Sequence, residues 1–213
     1  NNFTSSQTVQ PRRDPLTLDL DNDGLETVGI STTNPIMFDH DGDGVKTATG
    51  WVKSDDAFLV LDRNGNGVID NGSELFGDST PLAGGGTAAD GFAALAQEDT
   101  NNDGIVNTND IRFANLRVWR DLNQDGISQS NELQTLQQAG ISAIKVAKTE
   151  NSQLLSNGNQ LADLGAFIRS DGSTGGLGEI TAQMGDIDLA VTTDGTYNRF
   201  ADNYADILGR KIS

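Results

Sequence analysis

Five times along this chain an aspartate opens a run that carries an oxygen-bearing side chain at alternate positions and a glycine at the sixth: DLDNDG from Asp19, DHDGDG from Asp39, DRNGNG from Asp62, DTNNDG from Asp99 and DLNQDG from Asp121. Crowded carboxylates repel one another unless a cation is placed among them. The same deficit marks the whole chain, with a formal net charge of -17 from 31 acidic and 14 basic residues. Self-repulsion of that size opposes compaction and disfavours nucleic acid as a partner. Five divalent cations would cancel more than half of it. The chain is therefore expected to fold around calcium, a hard ion that prefers clustered oxygens.

An EF-hand-type loop takes ligands from its first, third, fifth, seventh and ninth positions, the seventh through a main-chain carbonyl, and closes with a carboxylate at the twelfth. The run from Asp121 fills this template with Asn123, Asp125, Gly126, the Ile127 carbonyl, Gln129 and Glu132. The run from Asp99 nearly does, with Asn101, Asp103, Gly104, the Ile105 carbonyl, Asn107 and the shorter Asp110. In the third, Asp62, Asn64, Asn66, Gly67 and Asp70 match, but Glu74 falls one place late. The first two runs offer Asp19, Asp21, Asp23 and Asp39, Asp41, Asp43, yet their twelfth positions are Ile30 and Gly50. Each must borrow a closing carboxylate, with Glu26, Asp55 and Asp56 as candidates, or stay partly hydrated. Asp-Asn-Gly clusters also make good turns, but five in one acidic chain favour metal. They are not the nonapeptide array of a parallel β-roll.

Composition excludes much else. With no cysteine there is no disulfide and no thiol catalysis, and His40, the only histidine, leaves no multi-histidine zinc site. No apolar run approaches the ~20 residues of a membrane span, and the N-terminus lacks a signal-peptide pattern. The chain thus reads as an internal segment of something larger. Residues 1–14 read as a flexible upstream segment, 15–191 as one module, and 192–213 as a downstream tail or linker. "LTLDL", "AFLVLD", "ISAIKVA", "LGAFIRS", "LGEITAQ" and "DIDLAV" are strand candidates. "FAALAQED", the stripe Ile111, Ala114 and Val118, and the stripe Leu133, Leu136 and Ala139 predict helices, the last ended by Gly140. The expected fold class is α+β, with short helices flanking EF-hand-like loops and packed on small β-sheets or hairpins. One helix over 111–120 would join the fourth and fifth loops into a pair.

Asp14-Pro15 stands at the border between the polar leader and the first loop. An aspartyl carboxylate can attack its own main-chain carbonyl, close a five-membered anhydride and expel the next nitrogen. Proline favours this, because its tertiary amide is more easily twisted from conjugation. Near neutral pH the step still needs a positioned carboxylate and a proton donor. Glu26, Asp43, Asp55, Asp56, Glu74 and Asp78 are donor candidates by their nearness in sequence to the first loops.

The ordered string DPLTLDLDNDGLET, DHDGDG, DRNGNGVIDNGSELFGD, DTNNDGIVNTNDI and VWRDLNQDGISQSNEL resembles the self-processing module of secreted, iron-regulated RTX proteins over roughly residues 14–191. The resemblance implies calcium-induced cleavage of Asp14-Pro15. It also implies joining of the freed aspartyl carboxyl to a lysine ε-amine of the same or another chain, with export by a type I system. Within this sequence Lys46, Lys53, Lys145, Lys148 and Lys211 are the available acceptors. By the same resemblance, Asp99, Asp110, Asp121 and Glu132 are the metal residues that matter most. Two other readings stay open: a non-catalytic, calcium-stabilised spacer of a surface adhesin, and a dockerin-like binding module, which the short spacing between loops disfavours.

Overall fold

The computed structural model describes residues 13–182, 184–191 and 197–199. The expected upstream segment therefore lies outside the described residues apart from Arg13 and Asp14, and the expected tail apart from residues 197–199. In chain order the strands are β1 (Leu16–Leu18), β2 (Thr27–Val28), β3 (Ile36–Phe38), β4 (Val45–Thr49), β5 (Trp51–Val52), β6 (Ala57–Val60), β7 (Ile105–Val106), β8 (Arg117–Trp119), β9 (Leu133–Thr135), β10 (Ile141–Lys145), β11 (Gln153–Leu154), β12 (Gln160–Arg169), β13 (Thr174–Thr181), β14 (Met184–Val191) and β15 (Tyr197–Arg199). Among the described residues, α1 (Gly91–Ala96) is the one α-helix, its first turn capped by the Asp90 carboxylate on the Ala93 N–H.

The α+β expectation is overturned, and the flanking helices with it. The principal sheet has nine strands, ordered β7-β10-β12-β13-β1-β6-β8-β9 with β11 added beside β12. A four-stranded sheet, β15-β14-β4-β3, and the pair β2-β5 complete the fold. Every pairing between named strands is antiparallel. All six strand candidates are strands. Two of the three predicted helices are not helices: residues 113–115 form one 3-10 turn before β8, and Leu133 opens β9.

The physical reason lies in what those stripes bury. Ile111, first in the supposed helical stripe, is 82% exposed, whereas Leu116, Val118 and Trp119 are buried from a short extended run. A twelve-residue loop whose end carboxylates accept from its own N–H groups closes its own backbone, so it can join two antiparallel strands as readily as two helices. Arg117, Val118 and Trp119 pair with Thr135, Gln134 and Leu133, and the fifth loop is the connection of that hairpin.

Two buried clusters hold the layers. The larger one packs Leu16, Leu18, Leu59, Phe76, Leu116, Ile141 and Phe167 against Phe92 and Leu95 of α1. The smaller is aromatic: Phe38, Trp51, Phe58 and Trp119 meet at centroid separations of 4.7–5.9 Å, mostly edge-on or tilted. Such contacts add to simple area burial. Here they place two indoles directly beneath the fifth loop.

Candidate functional site

The five acidic runs adopt one backbone. Position four has positive φ in each, at Asn22, Gly42, Gly65, Asn102 and Gln124, and so does the glycine at position six. The opening carboxylate turns inward each time. Asp19 accepts from the N–H of Asn22 and Gly24, Asp39 from Gly42 and Gly44, and Asp62 from Gly65 and Gly67. Asp99 accepts from Asp103 and Gly104, and Asp121 from Asp125 and Gly126. The fifth-position side chains Asp43, Asn66, Asp103 and Asp125 each take the N–H two residues on. Asn64, Asn101 and Asn123 lie beside them in the same loops, and the Ile105 and Ile127 carbonyls follow.

Closure follows a common rule. Glu132 accepts from Leu122 and Gln129, and Asp110 accepts from Thr100 and Asn107, the second and ninth positions of their loops. Although one place late, Glu74 reaches Arg63 and Asp70 in the third loop. Asp56, from a distant part of the chain, accepts from Leu20 and Glu26 and so closes the first loop. Asp19, Asp21 and Asp56 bring ligand atoms within 4.8 Å of one another, as do Asp39, Asp41 and Asp43. Burial pushes Asp56 up to about 7 against its backbone hydrogen bond from Glu26, with Asp19 adding repulsion. Burial likewise raises Glu74, Asp39 and Asp121. Buried, mutually repelling oxygens of this kind fit a hard divalent cation.

The loops are tied to the core and to one another. Trp51 donates its indole N–H to Asp121 at 2.8 Å, and Trp119 donates to Glu132 at 3.4 Å. The expected pairing of the fourth loop with the fifth through a helix does not occur. Instead the Ile69 N–H of the third loop donates to Ser128 Oγ of the fifth at 2.6 Å. The fourth loop docks its own β7 on β10.

Asp14 and Pro15 lie at the start of β1, clamped on both sides. The Arg13 and Pro15 carbonyls accept from the N–H groups of Ala182 (2.8 Å) and Ile180 (3.2 Å), and the Leu16 N–H donates to the Phe76 carbonyl (2.8 Å). The Asp78 N–H donates to Asp14 Oδ1 at 2.8 Å. A Cβ at Gly77 would lie 3.3 Å from both Oδ1 and the carbonyl oxygen of Asp14, so the carboxylate and its own carbonyl border the same point. Burial is the main reason that the Asp14 carboxyl is raised to about 6. The surrounding crevice, lined by His40, Leu75, Asp78 and their neighbours, encloses about 10 Å³, room for one water at most. Arg13 bridges Asp41 of the second loop and Asp78, each at 3.0 Å, and so links an acidic loop to the Asp14-Pro15 junction.

Of the sequence candidates for the proton donor, Asp78 alone lines this crevice. Glu26 pairs with Lys53, Asp56 and Glu74 close loops, and Asp43 belongs to the second loop. Sequence reasoning missed Glu179, which stands opposite Leu16 on β13 and is 3% exposed. Its signal was a lone acid in the apolar alternation of "LGEITAQ". Among the acceptor candidates, Lys148 is held by Asp90 at 2.7 Å and Asp163 at 2.5 Å, which raises its ammonium far above the ordinary range.

The chain's sequence from the first strand through β13 matches a known family. The sequence profile of the SPM domain matches residues 16–183, and the chain belongs to that family. It is 52% identical over 189 residues to the iron-regulated protein FrpA of Neisseria meningitidis serogroup C, a match that covers 89% of this chain and 16% of that relative. The chain thus spans about a sixth of FrpA, and the expected relationship to iron-regulated, FrpC-type RTX proteins holds. Among the described residues no helix is long and apolar enough to cross a membrane.

Proposed function

We propose that this chain is a calcium-triggered self-processing module that cleaves its own Asp14-Pro15 bond. The observation that carries the reading is the clamped junction, in which a buried carboxyl and the carbonyl it would attack border one point beneath Gly77. Holding both groups in place removes most of the entropic cost of the step. A carboxylate oxygen of Asp14 attacks the Asp14 carbonyl carbon. The new C–O bond closes a cyclic anhydride, and the C–N bond to Pro15 breaks as the nitrogen takes a proton. Water opens the anhydride to two carboxyl groups, or an uncharged lysine amine opens it to one amide and one carboxyl. The latter is the isopeptide ligation, and its acceptor belongs to this chain or another.

Bound calcium supplies the positive charge that lets the acidic loops pack. Asp19, Asp21, Asp23 and Asp56 would hold it in the first loop, and Asp39, Asp41 and Asp43 in the second. Asp62, Asn64, Asn66, Asp70 and Glu74 serve the third. Asp99, Asn101, Asp103, Ile105 and Asp110 serve the fourth, and Asp121, Asn123, Asp125, Ile127 and Glu132 the fifth. At a hundredfold excess over its dissociation constant each site adds about 2.7 kcal/mol to the folded state. Extracellular loops of about 10⁻⁴ to 10⁻³ M affinity stay empty in a low-calcium cytosol. Processing is thereby confined to the secreted protein, and kinship with an RTX protein supports that location.

Intact-mass spectrometry before and after calcium addition tests the reading. The expected result is a fragment beginning at Pro15, with crosslinked species heavier by the upstream segment, and neither in Asp14→Ala although that variant still folds with calcium. An unchanged mass after calcium-driven folding would refute cleavage and leave the spacer reading.

A further inference from the structure

The leaving Pro15 nitrogen needs a proton, and the residues expected from sequence do not offer one. Asp78, which lines the crevice, has both carboxylate oxygens engaged as acceptors, Oδ2 by Arg13 and Oδ1 by the Ser79 hydroxyl. Glu179 is placed differently. Its main chain lies opposite Leu16, and the next residue, Ile180, donates its N–H to the Pro15 carbonyl, so β13 runs directly along the scissile segment. Directly opposed residues of an antiparallel pair project to the same face. On that face the Glu179 Oε1 accepts from the Phe92 N–H at 3.2 Å. A Cβ at the adjoining Gly91 would lie 3.2 Å from the Asp14 carbonyl oxygen and 2.7 Å from Leu16 Cγ. The Glu179 carboxyl and the scissile carbonyl therefore meet the same backbone corner at the start of α1.

Resting on the cleavage reading above, we propose that Glu179 is the general acid that protonates Pro15 as the Asp14 anhydride closes. The proton on the Glu179 carboxyl passes to the Pro15 nitrogen while the C–N bond breaks. The nitrogen becomes the secondary amine of a new N-terminus, and Glu179 is left as a carboxylate. The groups facing Glu179 keep it protonated beforehand. It is buried, Asp14, Asp90 and Asp163 surround it with negative charge, and the nearby Lys148 ammonium is committed to Asp90 and Asp163. Burial, then the charge of Asp14, pushes the Glu179 carboxyl up to about 8, while burial raises Asp14 only to about 6. Nucleophile and acid thus coexist in their working forms between those values.

The test is single-turnover cleavage of the full chain at saturating calcium as a function of pH, for wild type, Glu179→Gln and Glu179→Asp. Folding is followed separately by circular dichroism. Wild-type rates should rise through about pH 6 and fall above about pH 8. Glu179→Gln, which keeps the acceptor for Phe92 but has no acidic proton, should fold with calcium, cleave on the order of 100-fold more slowly and lose the alkaline limb. Glu179→Asp should keep that limb. If the Gln variant does not fold, the wild-type profile decides. A rate that keeps rising above pH 8, or a folded Gln variant with the wild-type rate, overturns the assignment while leaving self-cleavage intact. Absence of wild-type cleavage would instead overturn the underlying reading.

Discussion

Gly91→Ala should slow cleavage more than it weakens folding. A Cβ there would stand 2.6 Å from the Phe76 carbonyl oxygen, 2.7 Å from Leu16 Cγ and 3.2 Å from the Asp14 carbonyl oxygen. The first and third of these are backbone atoms, so relief requires α1 to move away from β1. Overpacking of this kind costs about 1–3 kcal/mol. Its cost falls on the segment that carries the reacting bond, where a shift of about 1 Å can lower a rate by about 100-fold. Excess calcium separates the two effects, because ligation of the folded state offsets lost stability but does not return the carbonyl to its place. Calcium titration by circular dichroism should show a raised midpoint, and single-turnover cleavage at saturation should stay on the order of 100-fold slow. Gly84→Ala is the control: nothing lies within 4 Å of its Cβ position, and no change in cleavage is expected. Wild-type cleavage by a calcium-saturated Gly91→Ala chain would show that the approach of α1 to Asp14 does not position the bond.

Asp56→Asn should remove the closing carboxylate of the first loop and lower calcium affinity there, with the fourth and fifth loops unaffected; isothermal titration showing unchanged stoichiometry and affinity would refute that closure. Its ligand role also predicts a pH effect. Since its pKa is raised to about 7, calcium loading of the first loop should weaken as pH falls below that value, measurable by calcium titration at several pH values. Lys148, protonated and held by two carboxylates, is expected to be absent from isopeptide-linked peptides. Peptide mapping that recovers a Lys148 crosslink at neutral pH would contradict this.

The acidic loops were legible in sequence because their turn geometry is local. Positions one, three, five and six of each run, and the twelfth of the last two, carry their identity within a dozen residues, and the structure gives all five the same backbone. Strands were readable from alternation, as at Leu16–Leu18 and Ala57–Val60. The helical stripes at 111–119 and 133–139 failed because a short apolar run fits either period, and pairing across the fifth loop decided for β8 and β9. The Asp14-Pro15 junction was visible, but nothing near it in sequence named its surroundings.

What the sequence determined by itself, then, is the acidic loops with their charge deficit and the place of the Asp14-Pro15 junction just ahead of the first strand. Tertiary structure alone decided that Asp56 closes the first loop, that Arg13 ties the second to Asp78, and that Glu179 stands beside the Asp14-Pro15 junction. These partners are dozens of residues or more apart in the chain and meet only through antiparallel pairing in the central sheet or contact between loops. Such register is set by the burial of whole strand faces, a collective property that no local window of residues encodes.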